Sequence, residues 1–126
     1  MRGNAGKIAV ILVLWLAAVA VVITGELLPA ASAPMQWLGA FEISDKVMHF
    51  SAYVLLAFIP CFGFPLGTGL SLSALLIALG VALEFAQKLV PGRSFDLKDA
   101  LANALGVALG AVLGVLAGRL RMFRHD

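Results

Sequence analysis

Two short polar clusters interrupt an otherwise apolar chain, at residues 44–53 and 84–103. They contain the side chains with the clearest capacity for chemistry. His49, Glu84 and Asp96 could act as general acids or bases. Together with Asp45 they could hold an oxygen-bound divalent cation such as Mg²⁺. Either use requires these side chains to converge in space. Whether they converge depends on how the helices that carry them are placed.

The first cluster places Asp45, His49 and Tyr53 four residues apart, which predicts that they share one face of a helix. They form a polar stripe on an otherwise apolar segment. Structural roles are available for most of this cluster. Ser44 or Asp45 can cap the helix, and Lys46 can extend to the membrane surface. Tyr53 can pack in a core with its hydroxyl hydrogen-bonded, which leaves His49 as the member that structural roles explain least.

Glu84 is the most informative residue of the second cluster, because it lies inside a predicted membrane span. An unpaired carboxylate costs on the order of 3 kcal/mol at the centre of a membrane helix, so we expect Glu84 to face the bundle and to have a partner. The candidate partners are Lys88, Arg93 and His49, and Gln87 shares this part of the surface. Such a pair can fix the packing or serve a function, and the sequence favours neither.

The last long apolar segment begins with a predicted cap. Asp96 is expected at the N-cap and Asp99 at the third helical position, where the helix dipole favours carboxylates. Asn103, one turn later, needs hydrogen-bond partners from a neighbouring helix. Small residues then recur at every fourth position: Gly106, Gly110, Gly114 and Gly118. We interpret this stripe as a surface for close packing within the chain, with a homo-oligomer as the alternative.

Composition identifies lipid as the solvent of most of the chain. The 126 residues are 62% hydrophobic and 13% charged, and the mean hydropathy of +1.03 is not that of a soluble domain. The apolar runs predict four spans, at residues 8–24, 47–64, 70–89 and 97–117. All should be helices, because lipid satisfies no backbone hydrogen bonds. We therefore predict one domain, residues 1–126, that forms an all-α four-transmembrane-helix bundle, with a loop at 25–44 and turns at 65–69 and 91–92.

The first span has an alternative interpretation as a secretory signal, with a cleavage site at Ala31-Ser32-Ala33. Its length, and Pro34 directly after that site, favour a retained transmembrane helix. The positive charges favour both termini in the cytoplasm, because the arginines after the last span are not balanced by acidic residues: Arg119, Arg121 and Arg124. Both polar clusters would then meet at the outer surface, with His125 on the opposite side.

Several kinds of function are disfavoured. The net charge of +2 includes no basic run, which argues against a nucleic-acid partner. The lone Cys61 is interpreted as a small apolar side chain, and no Ser or Cys has the context of an activated nucleophile. Two histidines are too few for a histidine-rich zinc site. We expect neither a metal nor a cofactor.

The polar motifs in combination are Asp45-Lys46-x-x-His49-Phe50-x-x-Tyr53, Glu84-x-x-Gln87, Arg93-Ser94-x-Asp96 and Asn103-x-x-Gly106. This combination resembles the VanZ-like family of small bacterial membrane proteins, and the resemblance covers the second to fourth spans. It implies a role at the cell envelope, because the founding member is associated with low-level resistance to the glycopeptide teicoplanin. That resistance is separate from the pathway that remodels peptidoglycan precursors. The resemblance implies no particular reaction.

Binding and catalysis are both compatible with these residues. In the first hypothesis, Lys46, His49 and Arg93 hold the phosphate or carboxylate head group of a lipid, a lipid-linked precursor or a lipophilic glycopeptide at the outer leaflet. In the second, the candidates His49, Glu84 and Asp96 catalyse a reaction on a lipid-linked phosphate. A third is a structural or assembly subunit.

We favour binding in a bacterial inner (cytoplasmic) membrane, because the cluster mixes cations and anions that can satisfy one another. The predicted binding residues come from both clusters: Asp45, Lys46, His49, Tyr53, Glu84, Gln87, Arg93, Ser94, Asp96, Asp99 and Asn103.

Overall fold

A computed structural model of the protein describes residues 2–124, apart from the side chain of Arg2. Within that range all regular secondary structure is helical. The elements are α1 (Arg2–Leu27), α2 (Ala33–Gly39), α3 (Asp45–Gly63), α4 (Leu66–Ala86), a 3-10 turn (Gln87–Leu89) and α5 (Leu97–Phe123). In these described residues α1, α3, α4 with its 3-10 turn, and α5 are long and apolar enough to cross a membrane. The prediction of a multi-pass, all-helical membrane protein is therefore confirmed. His125 lies outside the described residues.

The helix ends differ from the predicted ones. The third span begins at Leu66, so that most of the predicted turn at 65–69 is helical, because Pro65 occupies the N-cap position and needs no hydrogen-bonded N–H there. The last helix continues past residue 117 to Phe123. Apolar runs mark the part of a helix that lies in lipid, whereas backbone hydrogen bonds continue beyond it.

The segment between the first and second spans, predicted as a loop at residues 25–44, is partly helical. It contains α2, a short helix with a proline in its first turn, where the missing proline N–H and the fixed φ are favourable. Trp37 of α2 packs edge-to-face with Phe41, their ring centroids 4.9 Å apart. Both side chains are exposed, as is common for aromatic residues at a membrane interface.

Close packing of α3 against α5 organises the bundle. The glycine stripe of α5 faces the backbone of α3: Gly106, Gly110 and Gly114 lie beside the carbonyl groups of Phe50, Val54 and Phe58. A β-carbon on Gly110 would overlap the carbonyl oxygen of Val54. This is the intrachain use of the stripe that we preferred, and the small residues let the two backbones approach closely.

Helix α1 packs more loosely than the others but is attached at a defined point. Trp15 is 6% exposed, and its indole Nε1 donates a hydrogen bond of 2.7 Å to the backbone carbonyl oxygen of Leu56 in α3. The ring joins a core cluster with Tyr53, Leu76 and Val107. These contacts attach α1 to the core of the bundle.

The order of the helices brings the polar clusters together. The end of α1, the start of α3, the end of α4 and the start of α5 meet at one end of the bundle, which we call the polar end. Side-chain contacts between Glu26 and His49, and between Glu84 and the backbone of Asp96, connect these ends. The start of α1 and the end of α5 lie at the opposite end.

Candidate functional site

Buried polar side chains from three helices form the inner part of the site. His49 Nδ1 lies 3.0 Å from Asn103 Oδ1 and 3.3 Å from Glu26 Oε1. The Tyr53 hydroxyl donates a hydrogen bond of 3.4 Å to Glu26 Oε2. Tyr53 is 0%, Asn103 1%, Glu26 7% and His49 8% exposed. These four residues, the inner polar group, confirm that the partner of Asn103 comes from a neighbouring helix.

Glu84 is fully buried beside this group, with a partner that the sequence did not predict. Its Oε1 accepts a hydrogen bond of 3.0 Å from the backbone N–H of Asp96, whereas its Oε2 has no hydrogen-bond partner among the described residues. Lys88 is not the partner, because its ammonium lies 5.2 Å from the ring centroid of Phe85 and 5.3 Å from that of Phe95. The cation–π contacts hold the exposed side chain of Lys88, in the 3-10 turn after α4, against these two rings.

Arg93 does not pair with Glu84 either. Its Nε donates to the carbonyl oxygen of Leu28 at 3.1 Å, and one terminal nitrogen donates to that of Gly25 at 3.2 Å. The same nitrogen lies 2.9 Å from the sulfur of Met35. The guanidinium thus satisfies carbonyl groups at the end of α1 that have no helical partner, and it ties α1 to the loop before α5.

Glu26 is the functional candidate that we did not predict. It was assigned to the loop after the first span, but α1 extends past it and places its side chain in the inner polar group. Its backbone oxygen accepts a hydrogen bond of 2.9 Å from Gln87 Nε2. The topology could have indicated Glu26, because the end of a first span and the start of a second lie on the same side of a membrane.

An outer layer of charged residues covers this part of the site. Lys46 Nζ lies 3.3 Å from Asp96 Oδ2 and 3.3 Å from Asp99 Oδ1. The Asp96 side chain accepts a hydrogen bond of 2.8 Å from the backbone N–H of Lys98, which confirms it as the N-cap of α5. That hydrogen bond and the nearby Lys46 ammonium lower the pKa of Asp96. At the start of α3, the hydroxyl of Ser44 is the cap.

The predicted site residues are divided between two cavities. The first, of about 200 Å³, lies between α1, α2 and α3 and is lined by Glu26, Asp45, His49 and Arg93 together with apolar side chains. The second, also about 200 Å³, lies at the outer layer. The predicted site residues that line the second cavity are Asp45, Lys46, Gln87, Arg93, Ser94, Asp96 and Asp99. Glu84 lines neither cavity, so these two spaces do not join the three candidate catalytic side chains.

The described geometry shows which chemical groups surround the first cavity. Within residues 2–124, no three His, Cys, Asp or Glu side chains are placed to hold one metal ion. The first cavity is lined mainly by apolar side chains, together with the charged and polar side chains of Glu26, Asp45, His49 and Arg93. Such an arrangement suits an amphipathic molecule, whose polar head finds hydrogen bonds while its chain contacts apolar side chains.

Comparisons with known proteins agree with the sequence motifs. The chain matches the VanZ/LLP1 family over residues 8–118, a range that includes α1 as well as both polar clusters. The family match therefore extends further than the motifs, which covered only the second to fourth spans. Comparisons with curated proteins and with solved structures gave no match. Because the matched range covers most of its 126 residues, the chain belongs to the VanZ/LLP1 family.

Proposed function

We propose that this protein binds an amphipathic molecule of the bacterial cell envelope at the outer leaflet of the cytoplasmic membrane. The observation that supports this proposal is the first cavity. Val21, Leu38 and Met48 line its apolar part, and Glu26 and His49 line its polar part. A volume of about 200 Å³ is below the usual range for whole drug-sized ligands. The cavity therefore receives the head group and the adjoining part of the chain, and the rest of the ligand stays in lipid.

The orientation in this proposal follows from the distribution of charge. Arg119 and Arg121, in the last turns of α5, and Arg124 directly after it are exposed at the end opposite the polar end. Positively charged residues that flank membrane spans concentrate on the cytoplasmic side. In this proposal both termini therefore lie in the cytoplasm, and the polar end faces outward.

Family membership supports a role in tolerance to lipophilic glycopeptides of the teicoplanin type. In this proposal, the protein changes how such a drug, or the lipid-linked molecule near which it acts, behaves at the outer leaflet. The buried residues of the polar end are the ones on which that effect depends.

The first experiment is a drug-susceptibility assay in cells that express the protein. It compares wild type with His49→Ala, Glu84→Gln and Arg93→Ala, at matched abundance in the membrane. Glu42→Gln is the matched control, because Glu42 is an exposed carboxylate of the segment before α3. We expect the site variants to lose protection against a lipophilic glycopeptide and the control to retain it. Full protection by all the site variants would contradict the proposal.

A second experiment tests the cavity itself. Ala52 lines the first cavity, whereas its neighbour Ser51 is exposed on the lipid-facing side of α3. Ala52→Leu reduces the space for a ligand, and Ser51→Leu adds the same side chain outside the cavity. We expect loss of protection from Ala52→Leu and not from Ser51→Leu. Equal protection by both variants would show that the cavity is not used.

A further inference from the structure

Two cations at the polar end, Arg93 and Lys46, already have partners within the protein. Arg93 bonds to backbone carbonyl groups of Gly25 and Leu28, and Lys46 lies between Asp96 and Asp99. Lys46 also lines the outer cavity rather than the first one. Arg93 also lines the first cavity, where its Nε and one terminal nitrogen are held by these backbone contacts.

One residue that lines the first cavity, Glu26, has a buried carboxylate oxygen without a hydrogen-bond donor among the described residues. The side chain of Glu26 is 7% exposed and lines the cavity, and its Oε1 has no hydrogen-bond partner among the described residues. His49 Nδ1 lies 3.3 Å away, but its hydrogen bond is made to Asn103 Oδ1 at 3.0 Å. A buried carboxylate oxygen without a donor is unfavourable, and a ligand that supplies one removes that cost.

The charges around the cavity favour the same kind of ligand. Two carboxylates, Glu26 and Asp45, line it with one guanidinium, Arg93. A phosphate or carboxylate head group would be placed against the Glu26 carboxylate, where like charges repel strongly in a medium of low dielectric constant. An ammonium group has three donors and a positive charge.

We infer that the head group held in the first cavity is a cationic amine, bonded to the Glu26 carboxylate, and not a phosphate or carboxylate. This inference rests on the proposed function. It identifies the ligand as an amine-bearing amphiphile whose chain leaves the cavity between α1 and α3. It also makes Glu26 the residue that selects the head group.

The test uses the full-length protein in nanodiscs of phosphatidylcholine and two synthetic probes. Each probe is a 12-carbon chain with a photoreactive diazirine at its middle, and the probes differ only in a primary amine or a phosphate head group. After illumination, mass spectrometry measures labelling of residues that line the first cavity relative to lipid-facing residues. We expect the amine probe to label the cavity at least about tenfold more than the phosphate probe, as for one charge-assisted hydrogen bond.

Two variants test whether the Glu26 side chain causes the preference for the amine probe. At a half-saturating concentration, Glu26→Gln should reduce labelling by the amine probe by about tenfold. Glu42→Gln removes an exposed carboxylate outside the cavity and should leave labelling unchanged. Equal labelling by the amine probe in wild type and Glu26→Gln would overturn the inference. The comparison of the two probes on wild-type protein needs no variant, so it decides the question even if Glu26→Gln does not accumulate.

The outcomes separate the inference from the proposed function. If the phosphate probe labels the cavity as strongly as the amine probe, a head-group site exists but the amine assignment is wrong. If neither probe labels the cavity above the level of lipid-facing residues, both the inference and the proposed binding function are wrong.

Discussion

Replacing Gly110 with alanine tests whether the close contact of α3 and α5 sets the geometry of the polar end. A β-carbon at Gly110 would overlap the carbonyl oxygen of Val54. The obstacle is backbone, which cannot rotate away as a flexible side chain can. The two helices must therefore separate, and the variant should be destabilised.

The size of that separation follows from the neighbouring contact. A β-carbon on Gly106 would lie 2.5 Å from the carbonyl oxygen of Phe50, whereas carbon and oxygen atoms ordinarily approach to about 3.3 Å. At Gly110 the overlap is greater, so α5 must move by about 1 Å. The 3.0 Å contact between His49 and Asn103 spans the same two helices and would lengthen beyond the range of a hydrogen bond.

The energetic consequence is the difference between two opposing effects. Overpacking of a tight contact costs about 1–3 kcal/mol, and alanine gains about 1 kcal/mol over glycine in a helix. Gly118→Ala is the matched control, because its β-carbon would lie 3.6 Å from the nearest atom, the carbonyl oxygen of Phe62. The gain in helix propensity is common to both variants. We expect Gly110→Ala to be about 3 kcal/mol less stable than Gly118→Ala, since the obstacle is backbone.

The assay is equilibrium unfolding of the purified protein in mixed micelles, followed by circular dichroism as the fraction of denaturing detergent increases. The free energies of unfolding of the two variants are compared with that of wild type. If Gly110→Ala is as stable as Gly118→Ala, α3 and α5 do not approach as closely as described. The position of Asn103 opposite His49 would then need another explanation.

Three further predictions concern the attachments of individual helices. Trp15→Phe keeps an aromatic ring but loses the hydrogen bond to the Leu56 carbonyl, so it should lower the free energy of unfolding by about 1 kcal/mol in the same detergent titration. The pKa of Asp96 is lowered in the folded protein, so the stability that it contributes is complete above about pH 4 and is lost as the pH falls below that value. Asp96→Asn keeps a capping side chain for the Lys98 N–H and should reduce the acid sensitivity of the thermal midpoint between pH 5 and 3; an unchanged acid profile would contradict this. Arg93→Lys cannot hold the carbonyl groups at the end of α1 with a planar fork, so hydrogen exchange of the amides of residues 28 and 30–32 should rise about tenfold, and unchanged exchange would show that those contacts do not order the segment.

The spans were predictable because hydropathy reports directly on the solvent of a segment. The ends of the helices were not, as Leu66 and Phe123 show. A helix begins or ends where backbone hydrogen bonds begin or end, and proline, capping groups and favourable helix propensity decide this independently of hydropathy. For the same reason α2 was missed, since seven residues between two spans give no periodic signal of their own.

Within the site, relations along one helix were predictable and relations between helices were not. Spacing by four correctly put His49 and Tyr53 on the buried face of α3, although Asp45 at the first turn remains exposed. The capping role of Asp96 depends only on local sequence and was confirmed. The partner of Glu84 depends on how α4 and the start of α5 are placed, which local spacing does not encode.

The distance along the chain between Glu26 and its partners has a consequence for biosynthesis. Gln87, which bonds to the Glu26 backbone, follows it by 61 residues, and Arg93 follows Gly25 by 68. The first helix is synthesised before any of these groups exist. It therefore enters the membrane with a carboxylate and its last carbonyl groups unsatisfied, and it completes its docking only after Gln87 and Arg93, which follow α4, have been made. The segment that is made first is thus fixed in place late, and the site is complete only near the end of insertion.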